Sequence, residues 1–346
     1  MPRLDYVTTA RSPDDLQQPV AVNDVLAMCV RAFPSARPTA IREFDGGEFN
    51  TTYKISLAGT EGNDDHIVLR VAPRDAATMS RNERLLMRKA HNAQPYLAPI
   101  APLIPRTIMT DFTRHIVDRD YIFQSFVEGE LWSEARGDLS DAQDAALWTQ
   151  MGGIARSIHA VRGEAFGEPY PGTRFPTWSQ AILHNLADIV ADATDYGLDT
   201  WDLRAIMDRA HAHCNVLDEV TEPRLLHGDL WPFNILIRRE DAGARIVAVL
   251  DADYAWWGDP LADWTMHLLR IKDASRPRDA RGHALFWQEY GRPPQTEGAR
   301  LRQQLYEGMY AGTDLVWAAR NKRKDVLDDV YARLPGIALS LWSSKP

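Results

Sequence analysis

An α+β fold, with a sheet-rich first part and a larger helical second part, is predicted by three features of the chain. Apolar residues alternate in short runs between residues 41 and 72 and again at 121–127, bounded by glycine and polar turns. After Gly129 the period lengthens: Leu147, Trp148, Met151, Ile154, Ala155 and Ile158 recur at helical spacing behind an S-x-x-Q capping box of Ser140 and Gln143. A second strand-rich stretch, 225–250, interrupts the helices.

Taken in order, the first 22 residues read as a loose arm. A short helix follows, with Val25, Leu26, Cys29, Val30 and Phe33 on one stripe and Pro34 as its stop. Strands are expected at 41–44, 51–57 and 66–72, separated by Gly46-Gly47 and by the polar turn 58–65. A helix is expected over 76–91, then strands at 114–118 and 121–127. Two or three helices fill 177–220, and the chain after 250 is helical to near its end. The boundaries predicted are 1–34 for an arm and short helix, 35–127 for a sheet lobe and 128–346 for a helical lobe.

The composition is that of a globular enzyme: 346 residues, 45% hydrophobic and 25% charged. A net charge of −9 gives a nucleic-acid partner no electrostatic support. Two cysteines, Cys29 and Cys214, make no disulfide framework, so a reduced compartment is expected. Residues 1–22 lack the apolar core of a signal peptide, and no run of 18 apolar residues spans a membrane. These features predict a cytoplasmic protein. His211-x-His213-Cys214 is not read as a metal site, since helical residues two apart face away from each other. Arg320-Asn321-Lys322-Arg323-Lys324 reads as a solvated helix face.

Chemistry enters with His227-Gly228-Asp229-Leu230-Trp231-Pro232-Phe233-Asn234, followed by the apolar run Ile235-Leu236-Ile237. An Asp and an Asn five apart, on a loop running into a strand, have the spacing of a kinase catalytic loop. The carboxylate sits beside an attacking hydroxyl, and the Asn oxygen reaches a Mg²⁺ ion held by a triphosphate. Seventeen residues after Asn234, Asp251 projects from the strand end Val249-Leu250, and the segment continues Gly258-Asp259-Pro260-Leu261-Ala262-Asp263.

The two motifs, H-G-D-x4-N and D-x6-G-D-P-x2-D, resemble those of the aminoglycoside phosphotransferase family, which also includes choline, homoserine and fructosamine kinases. The resemblance extends over nearly the whole chain and implies a bilobal protein-kinase-like fold and a small-molecule kinase. It implies Asp229 as the catalytic residue, Asn234 and Asp251 as Mg²⁺ ligands and His227 as a supporting residue. It implies ATP, or GTP, in the first lobe. Gly46 and Gly47 would lie over the phosphates, Arg70 would contact them in place of the more usual Lys, and Glu83 would pair with that cation. Gln124, Phe126 and Val127 mark the hinge that would bond the purine. His159 is expected to make a structural hydrogen bond. Asp263, near a helix start, suits a cap or loop anchor as well as a substrate contact.

For the acceptor, a small molecule with a hydroxyl, the loop after Asp251 supplies Asp253 and Asp259 as attractors of cations. It also supplies Tyr254, Trp256 and Trp257 as an aromatic wall. The motif spacing implies a natural-product antibiotic as acceptor. A housekeeping metabolite kinase and a nucleotide-binding pseudokinase scaffold are the alternatives, and the presence of Asp229, Asn234 and Asp251 together argues against the scaffold.

Overall fold

The computed structural model describes residues 4–13, 15–59, 65–74, 79–169, 171–240, 243–266 and 277–343. Contacts divide the chain into two compact units, Met1–Met79 with Pro102–Gly129, and Ser80–Ala101 with Glu130–Pro346.

The first unit is built on a sheet of six described strands around one helix. They are β1 (Asp5–Val7), α1 (Val22–Ala32), β2 (Arg37–Glu43), β3 (Thr51–Ala58), β4 (His66–Val71), β5 (Thr107–Asp111) and β6 (Tyr121–Ser125), in the order β1-β2-β3-β4-β6-β5. Every pairing is antiparallel except β1 on β2. Strict alternation makes the core: Tyr53, Ile55 and Leu57 of β3 and Ile67, Leu69 and Val71 of β4 turn to one face, where Val25, Met28 and Cys29 of α1 join them. Burial there pushes the Cys29 thiol up to about 12, which leaves it inert.

Two expectations change in this unit. The segment 114–118 is a loop, and the strand beside β6 is β5, at 107–111. The reason is local: Asp111 accepts hydrogen bonds from the Thr113 N–H and hydroxyl, and Arg114, at φ +59, reaches back to Asp120. The arm is also not loose, because β1 extends the sheet. Residues 60–64 of the expected polar turn lie outside the described residues.

The second unit is mostly helical. Its first stretch is a 3₁₀ turn, Arg81–Glu83, and α2 (Leu86–Ala93), where one helix over 76–91 was expected; residues 76–78 lie outside the described residues. Leu85, in the left-handed region at φ +62, separates the two. Residues 80–101 group with this unit, tied to it by Arg81 to Asp192 and Asp195 and by Lys89 to Glu168. There follow β7 (Glu130–Leu131), α3 (Trp132–Ala135), α4 (Asp141–His159), β8 (Phe166–Gly167), β9 (Arg174–Phe175), α5 (Trp178–Asp195), α6 (Trp201–Ala212) and α7 (Cys214–Leu217). Next come β10 (Arg224–Leu226), β11 (Ile235–Glu240), β12 (Gly243–Val249), β13 (Trp256–Gly258), α8 (Pro260–Trp264), α9 (Pro277–Tyr290), α10 (Glu297–Arg320) and α11 (Lys324–Ser343). The capping box at the start of α4 forms as read: Gln143 N–H donates to the Ser140 hydroxyl, and the Gln143 side chain accepts from Ser140 N–H. The main core joins α5, α6 and α10 through Ile182, Leu186, Leu203, Ile206, Leu305 and Met309. Two small sheets, β12-β11-β7 and β10-β13-β8-β9, carry the motifs. No helix among the described residues is long and apolar enough to cross a membrane.

Candidate active site

One hairpin assembles the two motifs. In the β11–β12 ladder Ile235 faces Val249, and one step further the Leu250 N–H donates to the Asn234 carbonyl at 2.8 Å. Asn234 and Asp251 therefore leave the same end of the hairpin. The Asn234 side-chain amide donates to the Asp229 backbone carbonyl at 3.0 Å and also to the Asp229 carboxylate, so that end is tied to the loop that carries Asp229. The spacing of five is what lets the 3₁₀ turn Pro232–Asn234 bring the amide back onto Asp229. Asp251 sits at φ +56, a conformation that Asp tolerates better than most residues, and opens the turn Ala252–Tyr254.

The loop is held from behind by Asp263. Its two oxygens accept the N–H groups of His227 at 2.9 Å and Gly228 at 2.8 Å. His159 donates to the same carboxylate from Nε2 at 3.0 Å, and its Nδ1 accepts the Tyr290 hydroxyl at 2.8 Å. Burial alone raises the Asp263 carboxyl, but bonds and charges from His159 and His227 outweigh it and hold the group below the ordinary carboxylate range. An ionised, fully satisfied carboxylate thus pins the first motif. Asp263 is the loop anchor, and His159 makes the structural bond expected of it.

Gly228 explains why the motif has no side chain at that position. It lies at φ +78, and a Cβ there would come within 2.2 Å of the Tyr254 carbonyl oxygen. The first motif therefore rests on the turn of the second. Below Asp229, His227 Nδ1 accepts the Asp229 N–H at 3.3 Å.

Glu83 stands in the same unit. Its Oε2 accepts the Ser80 N–H at 3.1 Å, its Oε1 accepts the Tyr254 hydroxyl at 3.3 Å, and Arg320 forms a buried ion pair with it. Arg320 is thus not part of a solvated face. The sequence missed this because the ion pair joins residues 237 apart, and a basic run discloses nothing about a distant carboxylate. Glu83 was expected on a helix, paired with Arg70; in this unit its carboxylate holds Arg320 and the turn after Asp251.

The predicted acceptor residues mostly go elsewhere. Asp259 is buried, caps α8 through the Leu261 N–H and accepts from Arg302 and the Tyr306 hydroxyl, both at 3.0 Å. Trp257 is buried with its indole flat on Gly163, where a Cβ would come within 2.6 Å of the ring. Trp256 packs on Trp178 at a centroid distance of 4.8 Å. Asp253 is buried as well, and Tyr254 turns to Glu83. β13 pairs with β10, which sets Trp257 opposite Leu225 and Trp256 opposite Leu226. We expect Trp257→Ala to lower stability by about 3–5 kcal/mol, read as a fall in Tm. A variant with wild-type Tm and a raised acceptor KM would contradict this assignment to the core.

The open aromatic near Asp229 is one the sequence did not single out, Phe233. Trp231 and Phe233, inside the first motif, lie with ring centroids 4.3 Å apart and planes tilted by 32°; Phe233 is 56% exposed and Trp231 half-buried. Two aromatic residues flanking Pro232 in the loop between Asp229 and Asn234 are the signal that was available.

In the first unit the register places Thr52, Lys54, Val68, Arg70 and Gln124 on the sheet face opposite the core. Lys54 reaches over the Phe126 ring at 4.0 Å, and His66 contacts the same ring edge-on. Val127 follows just beyond the end of β6, half-buried. Gly46 and Gly47 lie in the loop between β2 and β3, with Gly47 at φ +88.

The donor set fits a hard divalent cation. Asn234 spends its amide nitrogen on Asp229 and keeps Oδ1 as its remaining polar atom, and Asp251 is a carboxylate. Among the described residues no three His, Cys, Asp or Glu side chains form a closed metal site. Two oxygen ligands, with the rest from phosphate and water, is the usual provision for Mg²⁺.

A family model described as the phosphotransferase enzyme family, APH, matches residues 40–301. Aminoglycoside phosphotransferase APH(4)-Ia superposes with a TM-score of 0.65 at 18% identity, covering 92% of this chain and 99% of that one. A thermostable mutant of that enzyme, in a ternary complex with AMP-PNP and hygromycin B, gives 0.64 at 17% identity, covering 93% and 100%. The GDP complex of aminoglycoside 2'-phosphotransferase-IIIa gives 0.61 at 18% identity, covering 93% and 99%. Acyl-CoA dehydrogenase family member 11 of Gallus gallus is 23% identical over 249 residues, 69% of this chain but only 29% of that protein. The chain thus spans under a third of that relative's length. With a family model spanning well over half of its length and a protein-kinase-like fold, the chain belongs to the APH phosphotransferase enzyme family and is a small-molecule kinase.

Proposed function

We propose that the protein transfers the γ-phosphoryl group of ATP to a hydroxyl of a natural-product antibiotic bearing a sugar or nucleoside. The observation that carries the reading is the lock of the Asn234 amide on Asp229 at the hairpin end that also presents Asp251. Asp229 orients the acceptor hydroxyl and takes its proton as the O–P bond forms and the bond to ADP breaks. Asn234 and Asp251 would hold Mg²⁺, which supplies neutralisation of the charge on the transferring group. Gly46, Gly47 and Arg70 of the first unit serve the phosphates, and Gln124, Phe126 and Val127 the base. His227 supports the loop through Asp229 N–H. Positioning and fixed charge supply most of the acceleration.

The exposed Phe233 ring, packed beside the half-buried Trp231 on the loop that carries Asp229, supports an acceptor with a flat or sugar-ring face. The buried Asp253 and Asp259 give a polycation little to bind. A second reading, a kinase of a small metabolite alcohol, draws support from the relative named for acyl-CoA chemistry. The test is substrate-dependent ADP release across aminoglycosides, nucleoside antibiotics, choline, homoserine, fructosamines and hydroxyacyl thioesters, with Mg·ATP or Mg·GTP. Stimulation by an antibiotic and by none of the metabolites is expected. Stimulation by a metabolite alone overturns the first reading in favour of the second.

A further inference from the structure

The glycine loop between β2 and β3 is held by the segment that precedes α1. Thr9 N–H and Arg11 Nε donate to the two oxygens of Glu43, at 3.3 and 3.0 Å. The Arg11 fork then reaches on to the loop, donating to the Phe44 carbonyl at 3.1 Å and to the Asp45 carbonyl at 3.4 Å. Gln17, itself only 4% exposed, donates to the carbonyls of Gly46 and Asn50, both at 3.2 Å. The segment is secured at its far end: Arg119 and Thr51 donate to the Gln18 carbonyl at 2.8 and 3.0 Å, and Val20 N–H donates to the Tyr53 hydroxyl at 2.8 Å. Burial pulls the Arg119 guanidinium down to about 10, which still leaves it cationic at neutral pH. All these residues lie in the first unit.

The consequence follows from peptide geometry. A trans peptide points its N–H opposite to its C=O. Three successive carbonyls, of Phe44, Asp45 and Gly46, are taken by Arg11 and Gln17. The N–H groups of Asp45, Gly46 and Gly47 are thereby turned away from the side chains that hold those carbonyls. Successive N–H groups so directed are an anion-binding device, and glycine keeps the approach open: nothing lies within 4 Å of a Cβ built at Gly46. Gly47 is favoured by φ +88, and a Cβ there would press on the Gln17 amide at 3.3 Å.

We propose that residues 5–13 and 15–20 belong to a strap whose Arg11 and Gln17 hold the glycine loop in the conformation that binds the nucleotide's phosphates. The inference rests on the nucleotide reading above and deepens it. Arg11 and Gln17 are positioning residues: they act through backbone carbonyls, and the loop's N–H groups meet the phosphate. A strap that merely stabilised the unit would affect all ligands of the site alike. One that sets the peptide planes affects only ligands with phosphate.

The experiment compares binding of a non-hydrolysable Mg·ATP analogue and of adenosine, by calorimetry and by competition, in the full chain. Gln17→Glu keeps the shape and removes both donated bonds while leaving the Arg11 ion pair in place. It is expected to weaken the analogue by about tenfold and adenosine by less than twofold. Arg11→Ala should do the same, and Arg11→Lys should recover part of the loss, since one of the fork's donors is kept. Equal weakening of both ligands, or no change in either, overturns the proposal even if Arg11→Ala proves too unstable to measure. Absence of analogue binding by the wild type sinks the nucleotide reading itself, and the strap's role with it.

Discussion

Replacing Asp229 with Asn is expected to lower turnover by about three decades or more, a barrier increase of about 4 kcal/mol, with little change in nucleotide affinity. The structure makes this substitution clean. An asparagine retains an oxygen that can accept the Asn234 amide, so the bond that ties the loop to the hairpin end survives. The bonds from His227 and Gly228 to Asp263 involve backbone N–H groups and are untouched. What disappears is the negative charge and the ability to accept a proton from the attacking hydroxyl. The measurement is kcat with the acceptor found by ADP release, alongside calorimetry of Mg·ATP. A near-normal kcat in the variant would remove Asp229 from the chemistry.

Changing Asp251 should instead damage binding and turnover together, because a metal ligand acts in the ground state as well as in the transition state. Asp251→Ala is expected to weaken Mg·ATP binding by at least tenfold, while nucleotide binding without Mg²⁺ changes little. Asp251 occupies the left-handed region, where alanine adds a backbone cost of about 1 kcal/mol. Asp251→Asn is therefore the companion variant, since Asn tolerates that conformation and keeps one oxygen; an intermediate loss is expected. Asn234→Ala should weaken Mg·ATP less than Asp251→Ala. Calorimetry that finds Mg·ATP binding unchanged in both Asp251 variants rejects the ligand assignment.

How much was legible in the chain differs by element. Strand alternation in 51–57 and 66–72 marked β3 and β4 closely, because two faces of different polarity leave a period of two in the sequence. The long α4 was legible from its box and its stripe for the same kind of reason. The strand at 107–111 was missed in favour of 114–118, since both runs contain apolar residues and only the Asp111 turn decides between them. Of the helix expected over 76–91, residues 76–78 lie outside the described residues, and in the rest the extended Ser80 and Arg84 and the left-handed Leu85, which no propensity marks, confine the α-helix to Leu86–Ala93.

The family, the fold class and the two motifs were legible in the chain alone. These are encoded by local spacing: five residues let a tight turn return Asn234 to Asp229, and a strand of fixed length delivers Asp251 beside them. Which side chains near those motifs are open depends on packing between distant elements. Asp253, Asp259, Trp256 and Trp257 had the right chemistry for an acceptor site, yet Asp253, Asp259 and Trp257 are buried and Trp256 packs on Trp178, while Phe233 remains exposed. Such packing also makes Asp263 the anchor of the loop, pairs Arg320 with Glu83 and lets Arg11 and Gln17 clasp the glycine loop. Each of these contacts joins residues tens to hundreds of positions apart, so its energy depends on burial and on a distant partner, and neither leaves a periodic trace in the chain.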